Sequence, residues 1–170
     1  MRHLHCPTCG TPFVRVTAQE GTMERLLNRV NVFPFRCQLC TARFHAFWTG
    51  SPNGTQAVDR RQYKRLPTSL RAQLLADNAV RTNNRVTDIS MAGCTLEGAT
   101  ALPRGTFLEL RITPVSDEEE IKVDTAMICS LRPDSTGVRF LEFHANEKQR
   151  LSRLVLSLLV GQSVHPNPYS

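Results

Sequence analysis

Two Cys-x-x-Cys pairs constrain this chain more than any other feature: Cys6-Pro7-Thr8-Cys9, followed by Gly10, and Cys37-Gln38-Leu39-Cys40 about 27 residues further on. Two thiolates two residues apart reach one ion from a single tight turn, and Gly10 permits the left-handed bend that such a turn needs. Two pairs supply four soft ligands in tetrahedral geometry, a set that suits Zn2+ and leaves no open coordination position. A closed site does not activate water, so the metal is expected to be structural. The requirement for it follows from size. A module of about 48 residues buries too little apolar surface to fold unaided. Zinc binding contributes on the order of 10–16 kcal/mol in zinc-finger peptides, enough to fix it.

Between the pairs, Phe13–Val16 reads as a strand and Thr22–Val30 as a short helix; Phe33–Arg36 leads into the second pair and Arg43–Trp48 leads out. With these elements, residues 1–48 resemble a bacterial zinc ribbon. The spacing also resembles rubredoxin, an iron protein, but the second pair lacks the proline and glycine of that family. Zn2+ on Cys6, Cys9, Cys37 and Cys40 is therefore the expectation. With four cysteines available, His3, His5 and His45 are read as surface residues, and Arg36, Arg43 and Phe44 as a solvated basic face. Cys94 and Cys129 belong to no motif and are read as small buried hydrophobes.

The net charge of +6, with a pI near 9.3, favours an anionic partner. No stretch approaches the roughly 18 apolar residues of a membrane span; the most apolar run, Leu154–Val160, is far shorter. The N-terminus lacks the apolar core of a signal peptide. The sequence therefore predicts a cytoplasmic protein, where thiols stay reduced and serve as ligands or packing groups, not as disulfides.

Residues 49–58 are turn formers and small polar residues, and read as a linker. Residues 59–161 carry short strands: Leu70–Leu75, Arg85–Ile89, Cys94–Gly98, Phe107–Ile112, Ile121–Leu131 after an acidic tip at Ser116–Glu120, and Gly137–Phe143. A polar turn region is expected between the first two. Phe107–Ile112 alternates apolar and polar residues with period two, the pattern of a half-buried strand. Six such strands predict a mainly β fold, an antiparallel barrel or sandwich. A final helix is expected with Asn146 as N-cap, Glu147 in the first turn and Gly161 as its stop. Leu151, Leu154, Val155, Leu158 and Leu159 form a stripe expected to pack on the barrel. Residues 162–170 form a tail.

The charge has a focus. Asp59-Arg60-Arg61-Gln62-Tyr63-Lys64-Arg65 holds four basic residues in seven, and about 23 residues later stands Asp88-Ile89-Ser90-Met91-Ala92-Gly93. Arg-x-x-x-Arg at a barrel entrance followed by Asp-x-Ser-x-x-Gly resembles the motif pair of the PilZ family, as does Gly137-Val138-Arg139-Phe140-Leu141 before a C-terminal helix. The resemblance covers residues 59–160. It implies a six-stranded antiparallel barrel with a C-terminal helix, and a receptor, not an enzyme, whose ligand is cyclic di-GMP. It also implies that Arg61 and Arg65 clamp the ligand with Arg60 as an auxiliary contact, that Asp88 and Ser90 read guanine, and that Gly93 shapes the turn. The chemistry agrees. A guanidinium binds phosphate bidentately and stacks on bases, and a carboxylate accepts from guanine N1–H and the 2-amino group. The partners expected are cyclic di-GMP and an unidentified protein. The alternatives are a nucleic-acid-binding zinc-ribbon protein, with the ribbon and residues 60–65 as footprint, and an adaptor that binds no nucleotide.

Overall fold

The computed structural model describes residues 4–49, 62–76, 79–98, 100–114, 119–144 and 146–164. The chain divides into two compact units between Lys64 and Arg65. Most of the expected linker, with Asp59, Arg60 and Arg61, lies outside the described residues, as do residues 165–170 of the expected tail.

The first unit contains β1 (Val14–Val16), α1 (Thr22–Arg29), β2 (Val32–Cys37) and β3 (Arg43–Phe47). The strands form one antiparallel sheet in the order β1-β2-β3, with Val14 opposite Cys37 and Arg36 opposite Arg43. Phe33, Phe35, Cys37 and Leu39 are buried. Phe35 stacks on Phe44 at 5.9 Å and meets Trp48 edge-on at 6.1 Å, an aromatic cluster that seals one side of the sheet. Helix α1 is tied to β3 by the buried Glu24. Its carboxylate accepts from Arg43 Nη2 at 2.8 Å on both oxygens and from the Glu20 amide at 2.5 Å; His45 Nε2 lies 2.9 Å away. The expected solvated basic face is thus corrected: Arg43 is spent on Glu24 and Glu20, and Phe44 on the aromatic cluster. Arg36 is half-buried and donates to Thr41 O at 3.2 Å. Charged residues of alternating sign along one chain pair internally when the fold brings them together, and position in sequence alone does not show that.

The second unit is a closed antiparallel barrel of six strands: β4 (Leu66–Ala76), β5 (Ala79–Ser90), β6 (Gly93–Glu97), β7 (Phe107–Thr113), β8 (Ile121–Leu131) and β9 (Ser135–Glu142), in the order β4-β5-β6-β9-β8-β7. Alternation fills the interior with Leu70, Ala72 and Leu74 from β4 and with Leu108, Leu110 and Ile112 from β7. On β8 the phase shifts: Val123 and Ala126 are both buried although their spacing is odd. The register explains it, since Leu110 faces Val123 and Leu108 faces Ala126, so β8 carries one extra residue at this point. Of the polar region expected as a turn after Leu75, residues 79–84 are strand, with Gln73 opposite Asn83 and Ala76 opposite Ala79, while residues 77 and 78 lie outside the described residues. Asparagine disfavours strands, but successive pairing with β4, from Arg71 opposite Arg85 to Leu74 opposite Thr82, overrides a propensity of that size.

Helix α2 (Glu147–Val164) closes the unit. Leu151, Val155 and Leu159 are buried, so the expected stripe packs on the barrel, against β8 and β4. Glu147 accepts from the Lys122 amide at 3.0 Å and pairs with Arg150 at 3.0 Å; Arg150 in turn donates to Glu120 O at 2.9 Å. Asn146 stands at the N-cap position as expected: it directly precedes the helix with φ 71, and its carbonyl accepts from the amides of Gln149 and Arg150 at 3.1 Å. One expectation is corrected. Gly161 lies within the helix, not at its end; an interior glycine costs about 1 kcal/mol relative to alanine, which does not end a packed helix.

Candidate functional site

The barrel motif is built on the hairpin between β5 and β6. Ser90 faces Gly93 across a two-residue turn, Met91-Ala92. The Ser90 hydroxyl donates to Gly93 O at 3.2 Å and accepts from the Ala92 amide at 3.3 Å, and the residue is buried. Ser90 therefore fixes the turn, with one acceptor position remaining on its oxygen. Gly93 is required by close approach: a Cβ there would lie 2.2 Å from Val138 O on β9.

This turn sets the register that follows. Ile89 pairs with Cys94, and Asp88 pairs with Thr95. Ile89 and Cys94 are buried, while Asp88 is half-buried and faces outward. Arg65, immediately before β4, reaches the same place. Its Nη1 donates to Asp88 Oδ1 at 3.0 Å and also to Thr95 Oγ1. The side chains of Arg65 and Asp88 are 39% and 27% exposed, so this ion pair is open to solvent and to a ligand. Arg139, opposite Gly93 on β9, is exposed near the same turn. Of the residues expected at the site, Arg65, Asp88, Ser90 and Gly93 come together. Arg60 and Arg61 lie outside the described residues. Thr95 was missed, although counting from a two-residue turn at Ser90–Gly93 places it opposite Asp88.

Cys94 lies beneath the pair, fully buried, and burial followed by the Asp88 charge pushes its thiol up out of reach of ionisation. It is the small hydrophobe expected. Cys129 is not: it is half-exposed on β8, with Sγ directed to Met127 O at 3.5 Å.

The four cysteines of the first unit converge, their sulfurs all within 4.8 Å of one another. Cys6 and Cys40 sulfurs are 3.5 Å apart, and those of Cys9 and Cys37 are 3.6 Å apart. Zn–S bonds of about 2.3 Å in a tetrahedron give S–S edges of roughly 3.8 Å, whereas a disulfide needs about 2.05 Å. The donor set fits a tetrahedral thiolate site. Gly10 takes the left-handed φ 71 and donates to Cys6 O at 2.9 Å, closing the first turn as expected. In the second, Thr41 takes φ 67, and the amides of Leu39 and Cys40 point at Cys37 Sγ from 3.4 Å. Burial pushes the Cys37 thiol up to about 12 in the absence of a metal, with these amides opposing it. At Cys6 burial also disfavours the thiolate, but amides of Cys9 and Thr8 and neighbouring thiols bring it down to about 7.

A small closed barrel that groups an exposed guanidinium, a carboxylate and hydroxyls beside a strand turn has the makeup of a ligand-binding module. The chain belongs to the PilZ domain family, whose model matches residues 59–157. No curated protein matches the sequence. Solved structures show the same fold. The PilZ domain of YcgR from Escherichia coli, with c-di-GMP, aligns with TM-score 0.51 at 19% identity over 62% of this chain and 97% of that one. The MrkH–c-di-GMP complex of K. pneumonia aligns with TM-score 0.53 at 15% identity, over 80% and 74% of the two chains. The inhibitor of motility of Bacillus subtilis gives 0.54 at 16% identity, over 77% and 66%. Among the described residues, no helix is long and apolar enough to cross a membrane.

Proposed function

We propose that the protein is a cytoplasmic cyclic di-GMP receptor in which a structural zinc ribbon (residues 1–48) is joined through a linker (49–58) to the nucleotide-binding barrel (59–161), with residues 162–170 as a tail. The observation that carries this is the solvent-open Arg65–Asp88 pair, 3.0 Å apart beside the Ser90 turn. One group suits a phosphate or a base face, and the other suits the guanine edge. On binding, the nucleotide replaces each as the other's partner: Arg65 with Arg61 clamps phosphate, and Asp88 accepts from guanine N1–H and the 2-amino group. Arg60 adds an auxiliary contact. Ser90 and Gly93 hold the turn that presents Asp88, and Thr95 stands ready to pair with whichever group is released. YcgR and MrkH, both described with c-di-GMP, support this ligand class.

Zn2+ would be held by Cys6, Cys9, Cys37 and Cys40, where it supplies a closed cross-link between the two knuckles and no catalysis. Output comes from ordering. Closing the arginine segment on the nucleotide changes the arrangement of the two modules and the surface offered to a protein partner, without turnover. Calorimetric titration of the full chain with cyclic di-GMP tests the receptor. Binding is expected in the parent, with severe loss in Arg61→Ala and Asp88→Ala; no binding by the parent overturns the assignment. Small-angle scattering with and without nucleotide tests the rearrangement, and an unchanged distance distribution refutes it.

A further inference from the structure

The residues between the two clamping arginines are not idle. Gln62, Tyr63 and Lys64 are each bonded to the cysteine unit, and the main attachment is Gln38, which sits inside the second Cys-x-x-Cys pair. The Lys64 amide donates to Gln38 Oε1 at 2.7 Å, and Gln38 Nε2 donates to Gln62 O at 3.2 Å and to Arg36 O at 3.3 Å. The primary amide thus imitates one rung of a β-ladder, meeting an N–H and a C=O two residues apart on the same edge. Its own backbone amide donates to Phe13 O at 2.9 Å, which fixes the knuckle to the residue just before β1. Gln38 is only 6% exposed, and leaving its amide unpaired in that position is costly. Tyr63 adds a second attachment: its phenol accepts from Arg36 Nη1 at 3.3 Å, and the Arg36 guanidinium lies 5.7 Å from its ring centre. Gln62 Nε2 donates to Glu20 Oε1 at 3.4 Å.

We propose that Gln38 is a positioning residue for the nucleotide site: it holds the Gln62–Lys64 tripeptide on the cysteine knuckle, so that cyclic di-GMP affinity depends on an intact, metal-closed knuckle. This rests on the receptor reading given above. Arg65 directly follows the held tripeptide, so this arginine of the motif leaves a segment anchored at three successive residues. Anchoring removes chain entropy that nucleotide binding would otherwise have to overcome. The anchor depends on the cross-linked thiolates because Gln38 lies between two of them, Cys37 and Cys40. The device places metal loading in control of second-messenger affinity.

The test is calorimetry of the full chain with cyclic di-GMP, together with zinc content and exchange of the Lys64 amide. Gln38→Ala is expected to keep one zinc per chain, to speed Lys64 amide exchange, and to raise Kd on the order of tenfold, the scale of one lost buried hydrogen-bonded attachment. Gln38→Glu, which keeps the acceptor for Lys64 and loses the donor to Gln62, is expected between the two. Chelation of zinc weakens the parent by a comparable factor and adds little to the loss in Gln38→Ala. A Kd within twofold of the parent in Gln38→Ala overturns the proposal while the receptor reading stands. Absence of binding in the parent overturns both. Should Gln38→Ala lose its zinc, the attachment is read from the other side. Lys64→Ala keeps the amide donor, Lys64→Pro deletes it, and equal affinities in these two variants overturn the proposal.

Discussion

Arg65 and Asp88 stand 23 residues apart in sequence, and the Arg65 guanidinium donates to Asp88 Oδ1 at 3.0 Å. The pair is open to solvent, and exposed pairs contribute about 0–1 kcal/mol to stability. Under the proposed function, the pair presents complementary groups to the nucleotide. Arg65→Ala is expected to change the melting midpoint little while weakening cyclic di-GMP on the order of 100-fold. Arg65→Lys keeps the charge and loses the planar fork. Affinity lost in both variants marks fork recognition. Affinity retained in Arg65→Lys marks a generic basic arm instead, with the steep salt dependence such binding shows.

Zinc is expected to separate the two units thermodynamically. Metal analysis of the purified protein should return about one zinc per chain. Chelation is expected to unfold the first unit, read by fluorescence of the only tryptophan, Trp48, which packs on Phe35. The barrel should retain its strand signal in circular dichroism under the same conditions. Cys37→Ser should reproduce the effect of the chelator, because this buried sulfur sits under two donating amides. A single cooperative transition lost on chelation would refute the separation.

Acid should weaken the first unit through Glu24. The Arg43 guanidinium, outweighing the burial that opposes it, lowers the Glu24 carboxyl to about 2 from the usual 4.5. A folded-state value below the unfolded one gives stabilisation that is complete above pH 4.5 and is lost as pH falls from 4.5 toward 2. The amount is on the order of 3 kcal/mol. Glu24→Gln is expected to cost most of this at neutral pH and to flatten the acid limb of the Trp48-detected stability profile. Parallel profiles for parent and variant below pH 4.5 would show that Glu24 does not carry the acid dependence.

The six-strand count, the cysteine cluster and the meeting of Arg65 with Asp88 were legible in the sequence. Period-two alternation, ligand spacing and a motif with fixed offsets survive translation into three dimensions. Thr95 was one step further. It follows from the register of the Ser90–Gly93 hairpin, and turn length has to be known before that register can be counted. The commitment of Arg43 to Glu24, and of Gln38 to Lys64, was not legible. Those partners are separated by 19 and 26 residues with no repeating pattern, and only the folded sheet brings them together. Gly161 misled because a glycine signals a helix end only where packing does not continue past it, and the nearby Leu159 is buried on the barrel.

Gly93 offers a test of the site's framework apart from its chemistry. It has no positive φ to justify a glycine; its requirement is space, since a Cβ would meet the Val138 carbonyl oxygen at 2.2 Å and Arg139 Cα at 3.2 Å. These are backbone atoms of β9, the next strand of the barrel, and they cannot swing aside as a side chain can. Gly93→Ala must therefore push β6 from β9, with a cost in the 1–3 kcal/mol range typical of overpacking. Gly10→Ala is the contrast: its Cβ meets nothing within 4 Å, and its cost comes from the left-handed φ 71 alone. Urea unfolding should show Gly93→Ala lowering the barrel transition and Gly10→Ala lowering only the cysteine unit. Because β6 carries Thr95 opposite Asp88, the shift in Gly93→Ala should also weaken cyclic di-GMP, whereas retained affinity with lowered stability would place the ligand away from this hairpin.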